Sequence, residues 1–259
     1  MGSPNPDIRV LADVAGEAAE LFARYLSGCI DARGVVRVAL AGGNTPRPVY
    51  ERLARSPVGE VVNWRAVEVF QTDERAVPPS DADSNWGMLE DVLLGQVEVA
   101  AAGRHRMEGE AADLTGAAAR YEAILHERIG GGAIPAFDLI LLGLGEDGHT
   151  ASLFPGTPAI DEAKRLVVAN PVRQLDSTRL TLTFPVINAA REVWFLVTGS
   201  GKADAVRRVA GERDMSLPAS RVRPGEGRYC WLLDRQAAAG LPQGVTRCSG
   251  VLRFTQGPT

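Results

Sequence analysis

Asp147 and His149 stand two residues apart, among the glycines of Gly143-Leu144-Gly145-Glu146-Asp147-Gly148-His149. Histidine, with an ordinary pKa of ~6.5, suits proton transfer near neutrality, and a nearby carboxylate can orient and polarise its imidazole. This makes His149 the candidate general base and Asp147 its partner. Of the other histidines, His105 falls in an irregular stretch and His126 in a helix of surface type. A second constellation, Gly42-Gly43-Asn44-Thr45, puts backbone N–H groups and a hydroxyl just ahead of a helix start, which is chemistry that holds a phosphate. Asp73-Glu74-Arg75 adds carboxylates and a guanidinium, and Gly199-Ser200-Gly201-Lys202 adds a cation on another glycine-rich turn.

Other chemistries fit these residues less well. Gly199–Lys202 is not a nucleotide triphosphate loop, because Leu196 replaces the earlier glycine and Ala203 the magnesium-binding hydroxyl. Gly143-x-Gly145-x-x-Gly148 matches a dinucleotide fingerprint, but Glu146 and Asp147 would put carboxylates where a pyrophosphate should lie. There is no His-Glu-x-x-His, Cys-x-x-Cys or Gly-x-Ser-x-Gly pattern, so no metal site or acyl-enzyme serine is expected. Attack by an activated water is the simpler class.

These residues need elements to position them. Val14, Ala18, Leu21, Tyr25 and Cys29 recur at helical spacing over 13–30, with Asp13 available as N-cap. A buried strand over 35–41 runs into Gly42, after which Thr45 can cap and Pro46 can open a helix to about Arg55. The strand 67–71 ends at Asp73-Glu74-Arg75, read as a loop, and Ser84 caps a helix through Leu94. A helix over 113–129 precedes the most apolar strand, 137–142. Residues 179–184 alternate like a half-exposed strand, while 193–197 and 229–233 read as further strands. Strands alternating with helices predict an α/β fold, a mostly parallel sheet covered on both faces. The section 155–190 breaks the alternation and is expected to form a small additional lobe. In such a sheet the carboxyl ends of the strands share one edge, so the four loops, though far apart in sequence, should converge on one pocket.

The 259 residues carry 28 basic and 32 acidic side chains, a formal charge of −4, and 45% are apolar. A chain of this length suits one α/β domain over 1–259, and its apolar fraction excludes disordered and collagen-like classes. The mild acidic balance argues against nucleic-acid and membrane-surface partners. No apolar run approaches the ~18–20 residues of a membrane span, and Met1 to Asp7 lacks the features of a signal peptide. Cys29, Cys230 and Cys248 are too few and too scattered for a disulfide framework. A cytoplasmic protein is expected, with a monomer favoured over an oligomer.

Taken together, Leu40-Ala41-Gly42-Gly43-Asn44-Thr45-Pro46, Asp73-Glu74-Arg75 with Ser84-Asn85, and Gly143 through Pro155 resemble the 6-phosphogluconolactonase family, within the glucosamine/galactosamine-6-phosphate isomerase-like superfamily. Arg179-Leu180-Thr181-Leu182-Thr183 and Val197-Thr198-Gly199 with Lys202-Ala203 extend the resemblance, which runs in order over about 10–234. It implies a Rossmann-like fold and hydrolysis of a sugar-phosphate lactone, 6-phospho-D-glucono-1,5-lactone, without an organic cofactor. It further implies that Gly42, Gly43, Asn44, Thr45, Arg179 and Lys202 bind the phosphate. His149 would be the base, with Asp147, Asp73 and Arg75 beside the lactone.

The nearest rival is glucosamine-6-phosphate deaminase, an isomerase-type reaction on the same fold. That family carries an acidic residue five positions after the histidine, where this chain has Phe154, and usually an aromatic residue at the position of Arg75. A non-catalytic sugar-phosphate regulator is the other alternative, but no spare basic DNA-binding segment lies outside the matched region. Asp73 competes with His149 as the base, and the role of Glu74 is open between orienting Arg75 and contacting substrate.

Overall fold

The computed structural model describes residues 6–55, 57–225 and 227–242. Nine strands and seven α-helices are found among them: β1 (Asp7–Val10), α1 (Val14–Arg33), β2 (Val36–Leu40), α2 (Arg47–Arg55), α3 (Pro57–Glu60), β3 (Val67–Gln71), β4 (Asp73–Arg75), α4 (Asn85–Leu89), α5 (Leu114–Ile129), β5 (Leu139–Leu142), β6 (Val167–Val172), β7 (Ser177–Leu182), α6 (Phe184–Ala189), β8 (Glu192–Val197), α7 (Ala203–Val206) and β9 (Arg228–Leu233). Six strands form the central sheet in the order β1-β9-β8-β5-β2-β3, with every pair parallel. The chain steps from β2 outward to β3 and then returns to β5 on the other flank of β2. The strand order therefore reverses at β2, and the crevice beside a reversal is where open α/β sheets bind ligands.

Burial on both faces explains why these strands read as near-continuous apolar runs. One face of the sheet, including Val38, Leu40, Leu139, Leu141, Trp194 and Leu196, packs with α1, α2 and the 86–94 segment. The other, including Ala39, Phe70, Ile140, Leu142, Phe195 and Trp231, packs with α5, α6, α7 and the second sheet. Cys29 and Cys230 lie in the first of these cores; Cys248 lies outside the described residues. The helix ends follow their sequence signals. The Asp13 side chain accepts from the Gly16 N–H at 3.1 Å, and Asp113 does the same for Gly116 at 2.9 Å. Gly34, at φ +77°, closes α1.

Several expectations are corrected. Asp73-Glu74-Arg75 is not a loop but strand β4, which begins a second, antiparallel sheet in the order β4-β7-β6. Its backbone groups find partners on β7, and Thr72 joins the two sheets: its N–H donates to Leu40 and its carbonyl accepts from Leu182. The expected lobe over 155–190 therefore incorporates a strand from far earlier in the chain. Within it β7 spans Ser177–Leu182 rather than 179–184, and Leu180, Thr181 and Leu182 are all buried because β7 is the middle strand, packed on the core. Helix α2 starts at Arg47. The Pro46 carbonyl accepts from the Tyr50 N–H at 3.0 Å, and the Thr45 hydroxyl, instead of capping, meets Thr198 Oγ1 at 3.3 Å. Ser84 does cap α4, accepting from Gly87 at 3.0 Å, but beyond Leu89 the helix widens into a π turn over Glu90–Leu94.

Candidate active site

At the carboxyl edge of the central sheet lies a cavity of about 220 Å³ to which all four sequence-identified segments contribute. Gly42, Gly43, Asn44 and Thr45 follow β2, Asp73 and Arg75 come from β4, His149 stands in the turn after β5, and Lys202 follows β8. Asp147 and Arg179 are not among the lining residues. Asp147 stands behind His149, and Arg179 lies opposite Arg75 in the β4–β7 ladder.

The acid–base pair is held from two sides. Asp147 Oδ1 lies 2.6 Å from His149 Nδ1 and also accepts from the His149 backbone N–H at 3.1 Å. A carboxylate can only accept, so Nδ1 carries a proton, and in the neutral imidazole the lone pair is then on Nε2. On its flat side the imidazole stacks against Phe154, with ring centroids 4.0 Å apart and planes 27° from parallel. A Cβ on Gly145 would come to 2.0 Å from His149 Nδ1 and 2.5 Å from Asp147 Oδ1, so the close approach of this turn to the pair requires glycine. Burial works to raise the Asp147 carboxyl, but the attraction of His149 and the hydrogen bonds from it outweigh burial, leaving the group below its ordinary value.

Asp73 is more heavily committed. Its Oδ1 accepts from the Thr72 hydroxyl at 2.9 Å and its Oδ2 from the Ser152 hydroxyl at 2.7 Å. Glu74, only 1% exposed, accepts from Gln71 Nε2, Ser84 Oγ and the backbone N–H groups of Arg75, Asn85 and Trp86, all at 2.7–3.0 Å. It thus joins β4 to the amino end of α4, a wider role than orienting Arg75 alone. Asn85 lines the cavity and was missed as a site residue. Its Nδ2 donates to the Asp73 carbonyl at 2.9 Å, and its buried Oδ1 has no hydrogen-bond partner among the described residues. The sequence signals for it were its place directly after the Ser84 cap and its membership of the Ser84-Asn85 pair in the family resemblance.

The cations are treated differently. The Arg75 guanidinium donates to the Asp83 carbonyl. Burial and the neighbouring Arg75 push the Arg179 guanidinium below its ordinary value, against the pull of Asp73, Asp83 and Glu74. Arg179 Nε is buried without a hydrogen-bond partner, and Lys202 makes no ion pair among the described residues. A cavity lined by the Gly42–Thr45 loop ahead of a helix and by Lys202 is disposed to take an anion. Among the described residues no group of three or more His, Cys, Asp or Glu side chains is arranged to hold a metal ion.

This geometry agrees with the comparisons with known proteins. The family model described as glucosamine-6-phosphate isomerases/6-phosphogluconolactonase matches residues 10–231. The chain belongs to that family. It is 45% identical over 221 residues to the 6-phosphogluconolactonase of Synechocystis sp., covering 83% of this chain and 89% of that protein. It is 38% identical over 244 residues to the 6-phosphogluconolactonase of Mycobacterium tuberculosis, covering 92% and 96%. The solved 6-phosphogluconolactonase of Trypanosoma brucei superposes with a TM-score of 0.80 at 28% identity, covering 93% of this chain and all of that one. Within the isomerase/lactonase family, Phe154 matters for where it sits. The sequence marks it as the absence of an acid, and in the structure it is the surface on which the imidazole rests.

Proposed function

We infer that the protein is a lactone hydrolase that converts 6-phospho-D-glucono-1,5-lactone to 6-phospho-D-gluconate, the second step of the oxidative pentose phosphate pathway. The observation that carries this reading is the meeting, in one cavity, of the Gly42–Thr45 loop and Lys202 with His149, whose Nδ1 is engaged by Asp147 and whose Nε2 is not. A phosphate monoester carries close to two negative charges at neutral pH, which suits Gly42–Thr45, Lys202 and Arg179. With the phosphate anchored, the lactone ring reaches toward His149. Nε2 takes a proton from the water attacking C1, and Asp147 stabilises the imidazolium that forms. Arg75 stabilises the tetrahedral oxyanion, and His149 returns the proton to the ring oxygen as that bond breaks. Support for His149 over Asp73 as the base comes from the two hydroxyl donors on the Asp73 carboxylate, which already engage both of its oxygens. Against the deaminase alternative stands Phe154, which leaves no acid at the position where ring opening needs one.

The same reading takes the chain as one domain over 1–259, supported by the bond pair through which Thr72 ties the sheets together. No helix among the described residues is long and apolar enough to cross a membrane. A cytoplasmic site of action is supported by Cys29, a buried free thiol. The direct test is acid release in a pH-stat after addition of fresh 6-phosphogluconolactone, with the buffer rate subtracted. A rate proportional to enzyme is expected, falling by about 10²–10⁴ in His149→Ala. Folded protein with no rate above buffer would overturn the lactonase reading, and a normal rate in His149→Ala would remove His149 from the mechanism.

A further inference from the structure

Asp234 follows β9, three residues beyond the last position matched by the family model and at the end of the stretch over which the sequence resembles the family. Its Oδ2 accepts from the Gly199 N–H at 2.9 Å, and its Oδ1 accepts from the Ala237 N–H at 2.6 Å. Gly199 has a φ of +95°, and its carbonyl accepts from the Lys202 N–H at 3.1 Å. Next to it, Thr198 Oγ1 meets Thr45 Oγ1 of the Gly42–Thr45 loop at 3.3 Å. The turn that follows Asp234 closes against α7: a Cβ on Gly240 would come to 3.2 Å from the Ala203 carbonyl. A carboxylate thus holds the glycine at which the Lys202 turn begins, and its other oxygen is fixed by a packed turn.

We propose that Asp234 is a positioning residue for the substrate phosphate: it fixes the Thr198–Lys202 turn in the conformation that presents Lys202 to the cavity. The proposal rests on the reading of Lys202 as a phosphate ligand. Glycine has the most backbone freedom to lose, so a turn opening on Gly199 at positive φ needs an external partner to stay in one conformation. Among the described residues Lys202 has no carboxylate in an ion pair to hold it, so the conformation of its turn determines where its charge lies. Asp234 touches no reacting atom. Its effect should appear in binding of the phosphate and not in the chemical step.

The test compares wild type, Asp234→Ala and Asp234→Asn on 6-phosphogluconolactone and on unphosphorylated D-glucono-1,5-lactone. Inorganic phosphate binding is followed in parallel by thermal shift. In Asp234→Ala the KM for the phosphorylated lactone should rise about tenfold with kcat within about twofold, since the loss is one charge-assisted bond acting through the turn. The ratio of kcat/KM between the two lactones should fall by the same factor, and phosphate should bind correspondingly more weakly. Asp234→Asn, which keeps one accepting oxygen, should fall between, and it carries the test should the alanine variant not fold. Equal loss on both lactones, or unchanged phosphate binding, would overturn the proposal. Should wild type release no acid from either lactone, the lactonase reading fails, while the phosphate titration still decides the role of Asp234.

Discussion

The two ends of the cavity are built on opposite principles. At the end proposed to bind phosphate the cations are left with unmet needs: among the described residues Lys202 has no ion pair and Arg179 Nε has no hydrogen-bond partner, and Arg179 faces Arg75 across a ladder. At the acid–base end the charges are saturated. Glu74 has five donors, Asp73 has two hydroxyls, and His149 is fixed by Asp147 and Phe154. An anion-binding end stabilises its ligand by leaving bonds for it to complete, whereas a catalytic end must hold its groups in place before the substrate arrives. The difference implies that substitutions at the first end cost binding and those at the second cost fold or turnover.

The largest effect should come from Glu74→Gln. A glutamine keeps one accepting oxygen and turns an NH₂ toward donors that previously shared a carboxylate. With the side chain only 1% exposed, water cannot compensate. Folding should weaken by about 3 kcal/mol, lowering Tm by roughly 6–12 °C for a chain of this size. Calorimetry checks this, and an unchanged Tm would show that the Glu74 network is not what holds β4 to α4. Lys202→Met sharpens the contrast. It should raise KM about tenfold, the value of one charge-assisted contact, with Tm unchanged or slightly higher because an unpaired cation has been removed. A fall in Tm like that of Glu74→Gln would erase the distinction between the two ends.

Phe154→Leu tests the acid–base end without touching a charge. Losing a stack worth about 0.5–1.5 kcal/mol frees the imidazole to tilt, and kcat should fall roughly 2- to 10-fold with KM little changed. Steady-state kinetics on the phosphorylated lactone separates the two parameters. A change confined to KM would make Phe154 part of the binding wall and not a support for His149.

Much of the fold was legible because parallel strands buried on both faces leave unbroken apolar runs, and because Asp13, Ser84 and Asp113 cap helices by a local rule. The site was legible where glycines and charges sit directly after a strand. What could not be read depended on distant partners. Asp73–Arg75 looks like a loop until β7 is placed opposite it. Glu74 and Asn85 acquire their roles only when β4 and α4 come together, and Asp234 only when β9 delivers it to Gly199. Phe154 was visible in the sequence as a departure from a related family, but its stacking on His149 depends on how the turn after β5 folds back.

The smallest effect concerns Asp147, whose side chain is 46% exposed, so that solvent screens much of its interaction with His149. Its carboxyl lies below the ordinary value of 3.8 in the folded protein, so the unfolded chain binds the proton more readily. Its contribution to stability is therefore complete above that ordinary value and is lost as pH falls through the lower folded value. Asp147→Asn has no such proton to bind. Urea unfolding of both proteins at pH 6 and again near pH 3 should show the advantage of wild type over the variant shrinking in acid. A constant difference would mean that Asp147 is held by geometry alone, with its charge contributing nothing to the fold. In that case the acid–base end would be saturated by hydrogen bonds without being electrostatically tuned, and Asp147 would act on His149 only by fixing which nitrogen carries the proton.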